Sequence, residues 1–279
     1  MNGHFLYEEK KSSSFNLIVG THKAKEPVLS GPKCYKIKMY KLGDIIEVYK
    51  YEEPVWAGYH KFESTIRKPP DENNKKENRK KVVTRIRNNV RRLAIVNFDE
   101  HSKFFTLTFA NNVEDMNFAN NSYKKFIKRL KYSYGDFKYL VVIEFQKRGA
   151  IHYHMLADFA YIEQGQLEKI WGNGFIWIND LLTVNKGKPV DNIGAYIVKY
   201  MNKNIIDKRL MGKKAYFTSR NLKRPEVFYE DMDLVDCFKK YNFDMDNLVY
   251  NNSFPSKENG MVLYFEFNKK RDIENISKF

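Results

Sequence analysis

The sequence predicts an α+β fold in which a central antiparallel sheet carries packed helices. Three observations predict it. Residues 104–110, FFTLTFA, are an aromatic and β-branched run with alternating threonines, which suits a strand. Residues 139–156, YLVVIEFQKRGAIHYHML, are two apolar runs around a short polar turn, which suits a hairpin. Stretches with apolar residues at helical spacing lie between and after these runs.

Taken in order, residues 1–33 show no clear period and contain a Gly31–Pro32 break, so they read as an arm. Residues 34–40 and 45–51 read as two strands joined by the turn Lys41–Leu42–Gly43–Asp44. Pro69–Pro70 stops any regular element, and the polar stretch 71–74 opens a helix. Along it Val82, Val83, Ile86, Val90, Leu93 and Ala94 form one apolar stripe. After strand 104–110, residues 120–130 form a helix with Tyr123, Phe126, Ile127 and Leu130 on one side. The hairpin strands follow, then a helix over 163–171 ended by Gly172 and a strand over 174–178. Ile193, Ile197, Tyr200 and Met201 mark a helix from about 191 to 203.

The resulting order is βαββαβ, the pattern of a split, ferredoxin-like sheet with helices on one face. In that topology strand 104–110 lies beside the histidine strand at the sheet's centre. A last strand is expected over 261–267. Between them, seven acids in 226–246 read either as a solvated helix or as a shield for a basic surface. The chain is expected to divide into an accessory arm and hairpin (1–66), a core domain with its basic helix (67–230), and an acidic helix and strand (231–279).

Length and composition narrow the function. At 279 residues with 43% hydrophobic content, the chain is long enough for a substantial core. No apolar run approaches the roughly 20 residues needed to span a bilayer, and the N-terminus lacks a secretory apolar segment. Two cysteines far apart fit a reduced, cytoplasmic protein. Lys and Arg total 49 against 34 acids, a net charge of +15, which favours a polyanionic partner or reflects a Lys-rich genome. Distribution decides between them. Between Arg67 and Arg92 eleven basic residues face three acids. Arg79, Lys80, Arg85, Arg87, Arg91 and Arg92 therefore read as a nucleic-acid-facing stripe, against the alternative of a solvated helix face. Lys213, Lys214, Arg220, Lys223 and Arg224, interleaved with Tyr216 and Phe217, suit a backbone groove with base stacking.

Two constellations carry chemistry. His152 and His154 are two apart on a strand, so their imidazoles share one face. A hairpin turning at Lys147–Arg148–Gly149 sets Glu144 opposite His152, with Gln146 the next candidate on that face. Two imidazoles and a carboxylate leave open positions on a divalent ion; nitrogen donors tilt the choice toward Mn²⁺ without excluding Mg²⁺. In the second constellation, Tyr196 and Tyr200 are neighbours on one helix face, and Lys199 and Lys203 repeat the same offset. They read either as aromatic anchors of the helix or as phenolic nucleophiles beside two cations. A tyrosine ionises near pH 10 and needs such help.

FFTLTFA, EFQKRGAIHYHML and AYIVKYMNK, in this order, resemble the three motifs of the HUH-endonuclease rolling-circle replication initiators of phages and plasmids. The likeness covers roughly residues 73–230. It implies that His152, His154 and Glu144 hold a divalent cation. It also implies that Tyr196 or Tyr200, aided by Lys199 and Lys203, attacks a DNA phosphodiester to give a 5′-phosphotyrosyl enzyme and a free 3′-OH. Single-stranded or hairpin origin DNA is the implied substrate. No GxxxxGK[ST] phosphate loop is present, so unwinding falls to a host helicase working with the replication machinery. Relaxases and single-strand transposases of the same superfamily are the nearest alternatives. Here, however, the tyrosines follow the histidines and the third ligand is acidic. A non-catalytic DNA-binding copy-control protein is a different class of alternative.

Overall fold

The computed structural model describes residues 34–56, 72–182, 190, 192–201, 208–210 and 213–269. The arm expected over 1–33 and the break expected at Pro69–Pro70 lie outside the described residues. The fold opens on the expected hairpin, β1 (Cys34–Leu42) and β2 (Ile45–Trp56). Alternation along β1 sends Ile37 and Met39 into a core and turns Lys38 and Tyr40 to the other face. Next comes α1 (Glu72–Asn97), 26 residues and so about 39 Å long. Its Val90, Leu93 and Ala94 are buried, as the apolar stripe requires.

The central sheet then assembles in the expected βαββαβ order. The elements are β3 (Lys103–Leu107), α2 (Met116–Tyr134), β4 (Lys138–Phe145), β5 (Ile151–Asp158), α3 (Gln164–Trp171) and β6 (Ile176–Asn179). In space the strands run β6-β3-β5-β4, every neighbour antiparallel, so β3 does lie beside the histidine strand β5. β3 stops at Leu107 rather than at residue 110. Past that point the chain bonds to the turn before β6, through Thr108 N–H to the Phe175 carbonyl and Ala110 N–H to the Asn173 carbonyl. The approach is so close that a Cβ on Gly174 would collide with the Thr108 carbonyl oxygen.

Helices cover both faces of this sheet, where one face was expected. On one face Tyr153 of β5 stacks on Tyr123 of α2 at 5.0 Å, and Phe126 meets Trp171 of α3 at 5.6 Å. The opposite face carries His152 and His154 and receives α4 (Ile193–Val198), which continues as a 3₁₀ turn over Lys199–Met201. The tail of the helix expected to 203 thus tightens at Lys199, and Lys203 lies outside the described residues. α4 packs on α1 where Gly194 allows it: a Cβ there would fall 2.5 Å from the Arg91 carbonyl oxygen.

The remaining strands correct the expected division of the chain. β7 (Tyr216–Thr218) adds to the free edge of β4. β8 (Glu226–Glu230), α5 (Leu234–Lys240), β9 (Leu248–Ser256) and β10 (Gly260–Asn268) follow. The acidic stretch is therefore a strand and a short helix, because Val227, Phe228 and Tyr229 have strand rather than helix propensity. A second sheet forms in the order β8-β1-β2-β10-β9. Its strands come from all three expected regions, so the N- and C-terminal additions build one body. Its inner face packs Ile37, Met39, Val48 and Phe267 against Cys237 and Phe238 of α5. Both cysteines are free thiols. No helix among the described residues is long and apolar enough to cross a membrane.

A buried ion-pair network ties the second sheet to the helices over the first. Glu47 of β2, 1% exposed, pairs with Arg91 and with Arg92 of α1, the latter at 2.7 Å. Arg91 also reaches Glu266 of β10 at 2.5 Å, and Tyr264 donates to the same carboxylate at 2.9 Å. The Asn192 amide donates to Glu266 at 3.5 Å while its side-chain oxygen caps α4 through Ala195 N–H. Replacing Glu47 with Ala strands two arginines in a water-poor space, and breaking such a pair costs about 3–5 kcal/mol. Urea unfolding of Glu47→Ala should show a loss of that size, with a much smaller loss for exposed Glu226→Ala, whose ion pair with Lys41 lies at the surface.

Candidate active site

The β4–β5 hairpin adopts the register expected from the sequence, with Glu144 directly opposite His152 and Val142 opposite His154. Directly opposed residues share a face. Glu144, His152 and His154 are therefore on one side of the sheet, and β3 adds Thr106 opposite His154. Both imidazoles are buried, at 8% and 4% exposure.

Each ring is oriented by a specific neighbour. His154 Nε2 lies 2.7 Å from Glu144 Oε2, and its Nδ1 lies 2.9 Å from the Thr106 hydroxyl. A hydroxyl both donates and accepts, so Thr106 satisfies Nδ1 in either tautomer. With the proton on Nε2, His154 donates to Glu144. With the proton on Nδ1, it donates to Thr106 and leaves the Nε2 lone pair for a cation, and a partner on the second nitrogen is the usual way a metal-binding histidine is held. His152 Nδ1 sits 3.3 Å from the Gln146 amide nitrogen, and the Gln146 amide oxygen accepts from Arg148 at 3.0 Å. That second bond fixes which end of the amide faces the ring, so Gln146 donates to His152. Among the described residues no three His, Cys, Asp or Glu side chains converge as a ready-made metal cage. Glu144 is turned to His154, and His152 is turned to Gln146. The donor types nonetheless suit a divalent ion: two imidazoles held below their ordinary pKa, chiefly by burial and against the pull of Glu144, are neutral near pH 7, as coordination requires.

The tyrosines meet this face. The Tyr200 ring stacks on His154 with centroids 3.8 Å apart and planes 22° from parallel. Its hydroxyl is 3.5 Å from that of Tyr196, which in turn lies 3.4 Å from the Asn179 amide of β6. Phe104 of β3 supports both rings, at 4.9 Å from Tyr196 and 5.5 Å from Tyr200. Lys199 places its ammonium 3.7 Å from the centre of the Tyr196 ring and 4.9 Å from that of Tyr200. Contrary to the expected activation, burial and the Tyr196 hydroxyl push the Tyr200 phenol well above its ordinary pKa. Burial also pulls Lys199 down from the ordinary lysine value. Thr106, Asn179 and Phe104 are the neighbours that sequence reasoning missed. Only Thr106 had a readable signal, its alternation with Thr108 beside a histidine strand.

The expected DNA-contacting residues do not form one surface. Arg91 and Arg92 face inward to Glu47, because the acids that meet them arrive on strands far away in sequence. Lys80 and Arg85 are exposed on α1, whereas Arg79 and Arg87 are half-buried. Lys213 and Lys214 lie exposed near the start of α2, with Lys213 3.4 Å from Asn117. Arg209, not singled out in the sequence, donates to the Gly149 carbonyl of the hairpin turn at 2.7 Å and covers the Phe145 ring. Arg220 lines a cleft of about 380 Å³ with Lys131 and Tyr139. Ser219 bonds Tyr139, and five residues of strand, about 17 Å, separate Tyr139 from Glu144. Lys223 and Arg224 are exposed near the end of α1, where the Lys223 N–H donates to Asn97.

Two measurements follow from this geometry. Thr106→Val removes the partner of a buried imidazole nitrogen and should lower stability by about 1–3 kcal/mol in urea unfolding. The histidines also set a pH dependence. Their folded pKa values lie below the unfolded value near about 6.5, so stability is full above that value and falls as pH drops through it toward the folded values. The urea midpoint should decline between about pH 7.5 and about pH 5, and decline less in His152→Asn/His154→Asn. Residues 102–205, the stretch that holds Thr106, Glu144, both histidines and both tyrosines, match a family model for the replication-associated protein ORF2. No curated protein and no solved structure matches the chain. Across its candidate active site the chain is thus similar to replication-associated proteins, which supports a role in replication.

Proposed function

We propose that this protein initiates rolling-circle replication by nicking and rejoining single-stranded origin DNA of a plasmid or phage through a tyrosine. The observation that carries the reading is the convergence of Tyr196 and Tyr200 on the Glu144–His152–His154 face, within the stretch similar to replication-associated proteins. His152, His154 and Glu144 would hold a divalent cation, Mn²⁺ or Mg²⁺. When bound, it supplies Lewis-acid polarisation of the scissile phosphate.

The chain's own residues do the rest. The phenolic oxygen of Tyr196 or Tyr200 bonds to phosphorus and the P–O3′ bond breaks. The 3′ oxygen takes a proton and leaves as a free 3′-OH, and the DNA 5′ end stays on the tyrosine. Lys199, beside both rings, offers positive charge to the phosphate oxygens as their charge grows, and Lys203 is assigned the same role. The raised pKa of Tyr200 means that its proton leaves only when the site becomes more positive than it is in the free protein. The hydroxyl–hydroxyl contact between the tyrosines gives each a nearby oxygen for proton exchange. Attack by the 3′-OH on the phosphotyrosine reverses the sequence, and no ATP is needed because the phosphodiester energy is conserved.

Single-stranded origin DNA with Mn²⁺ is expected to give a covalent protein–DNA adduct that survives denaturation. The Tyr196→Phe/Tyr200→Phe double variant should give none, and the single variants show which tyrosine makes the first nick. His152→Ala/His154→Ala should abolish cleavage while retaining most DNA affinity. Binding without an adduct under any divalent metal would favour a non-catalytic DNA-binding protein and sink the nicking reading.

A further inference from the structure

Beside the ion-pair network, α1 and the second sheet diverge and leave a cleft of about 530 Å³. One wall is the polar stripe of α1: Glu77, Lys80, Lys81, Thr84, Arg85 and Asn88, ending at Arg92. The other is the sheet face turned away from α5: Lys38 and Tyr40 of β1, Tyr49 and Tyr51 of β2, and Phe254 of β9. Five cations thus share the cleft with one acid. Lys80 and Arg85 are exposed and make no ion pair among the described residues, and Lys81 only approaches Glu77, at 3.9 Å. Arg92 lies flat over the Tyr40 ring at 3.5 Å and donates to the Tyr49 hydroxyl at 2.8 Å.

The aromatic surface continues past the cleft. Tyr35 contacts Tyr51 at 5.9 Å and Tyr229 at 4.7 Å; Tyr264 contacts Tyr49 at 4.9 Å and Tyr250 at 6.0 Å. Phe254 and Tyr250 are 40% and 52% exposed. A core face would bury such rings and exclude lysines. An ordinary solvated face would not gather this many rings under a cationic wall. Aromatic platforms bordered by cations bind single strands: the rings take the unpaired bases, and the cations follow the phosphates. A duplex keeps its base faces covered and gains only the phosphate contacts.

We propose that this cleft is a second DNA-binding site, distinct from the tyrosine–histidine face, that takes a short stretch of single-stranded DNA with bases on Tyr40, Tyr51 and Phe254 and phosphates on Lys80, Lys81 and Arg85. That the strand is DNA rests on the replication reading above; the cleft itself uses none of the nicking chemistry. It also lies outside the stretch that matches the family model.

The test measures binding of the full chain to a fluorescent 20-mer of deoxythymidylate by anisotropy, with EDTA present to keep the nuclease face silent. Lys80→Glu/Arg85→Glu should weaken binding at least tenfold and reduce the slope of log affinity against log salt by about two. Phe254→Ala/Tyr51→Ala should weaken it at least fivefold while leaving the salt slope unchanged. Thermal melting of each variant confirms that the sheet is intact. A photocrosslinking strand carrying 5-iododeoxyuridine should label peptides 34–56 and 248–256. Unchanged affinity in the charge-reversed variant, equal affinity for a blunt duplex, preference for oligouridylate, or crosslinks confined to 139–201 would each overturn the proposal. Adduct formation with Mn²⁺, read on the unaltered chain, separates the two claims. Lost thymidylate binding in the variants without any adduct refutes the nicking reading alone, and an adduct with unchanged thymidylate binding refutes the cleft alone.

Discussion

The buried carboxylate of Glu47 is the constraint on which the arrangement of the molecule depends. A charge that is 1% exposed is tolerable only when met by opposite charges and hydrogen bonds, and both arginines come from one turn of α1. Satisfying Glu47 therefore fixes the rotation of α1 against the second sheet. The same Arg91 reaches Glu266, and Glu266 accepts from Asn192 at the start of the tyrosine helix. Gly194 then lets that helix press on the backbone of α1 at Arg91. One set of polar contacts thus positions three bodies: the second sheet, the long helix, and the segment that carries Tyr196 and Tyr200.

The candidate active site is the other end of that chain of contacts. Its strands supply a rigid face with side chains at fixed spacing, and its nucleophile candidates come from a short helix packed down on that face. The ring of Tyr200 lying on His154 shows how little space separates the two functions. It also explains the electrostatics: the packing that brings a phenol to the histidines takes it out of water, which raises its pKa and lowers that of Lys199. Proximity and activation oppose each other in the free protein.

Much of this was legible in the sequence, for identifiable reasons. A period of two and a glycine-containing turn fix a hairpin register, so Glu144 could be set opposite His152 from residue spacing alone. A four-residue offset on a helix likewise put Tyr196 beside Tyr200. What was not legible depends on distant partners. The roles of Arg91 and Arg92 are decided by Glu47 and Glu266, 44 to 175 residues away, and nothing local distinguishes them from Lys80 or Arg85. Thr106 becomes a histidine's partner only once β3 is placed beside β5. β8 and β9 were hidden because acidic and polar residues occupy the exposed positions of short strands at the sheet's edges.

The connectivity of the two sheets has a consequence for how the molecule comes to exist. Every strand of the first sheet lies between Lys103 and Thr218, and the histidine hairpin closes over a handful of residues. The second sheet must join Ile45 to Asn268, across almost the whole chain. Closing long loops costs entropy before any contact rewards it, so pairings of high sequence separation form slowly. During synthesis the face bearing the histidines can therefore take shape while β1 and β2 still wait for β10. Only when the last strand emerges does Glu47 become buried and the long helix lock, so the finished geometry of the tyrosine segment is a property of the complete chain.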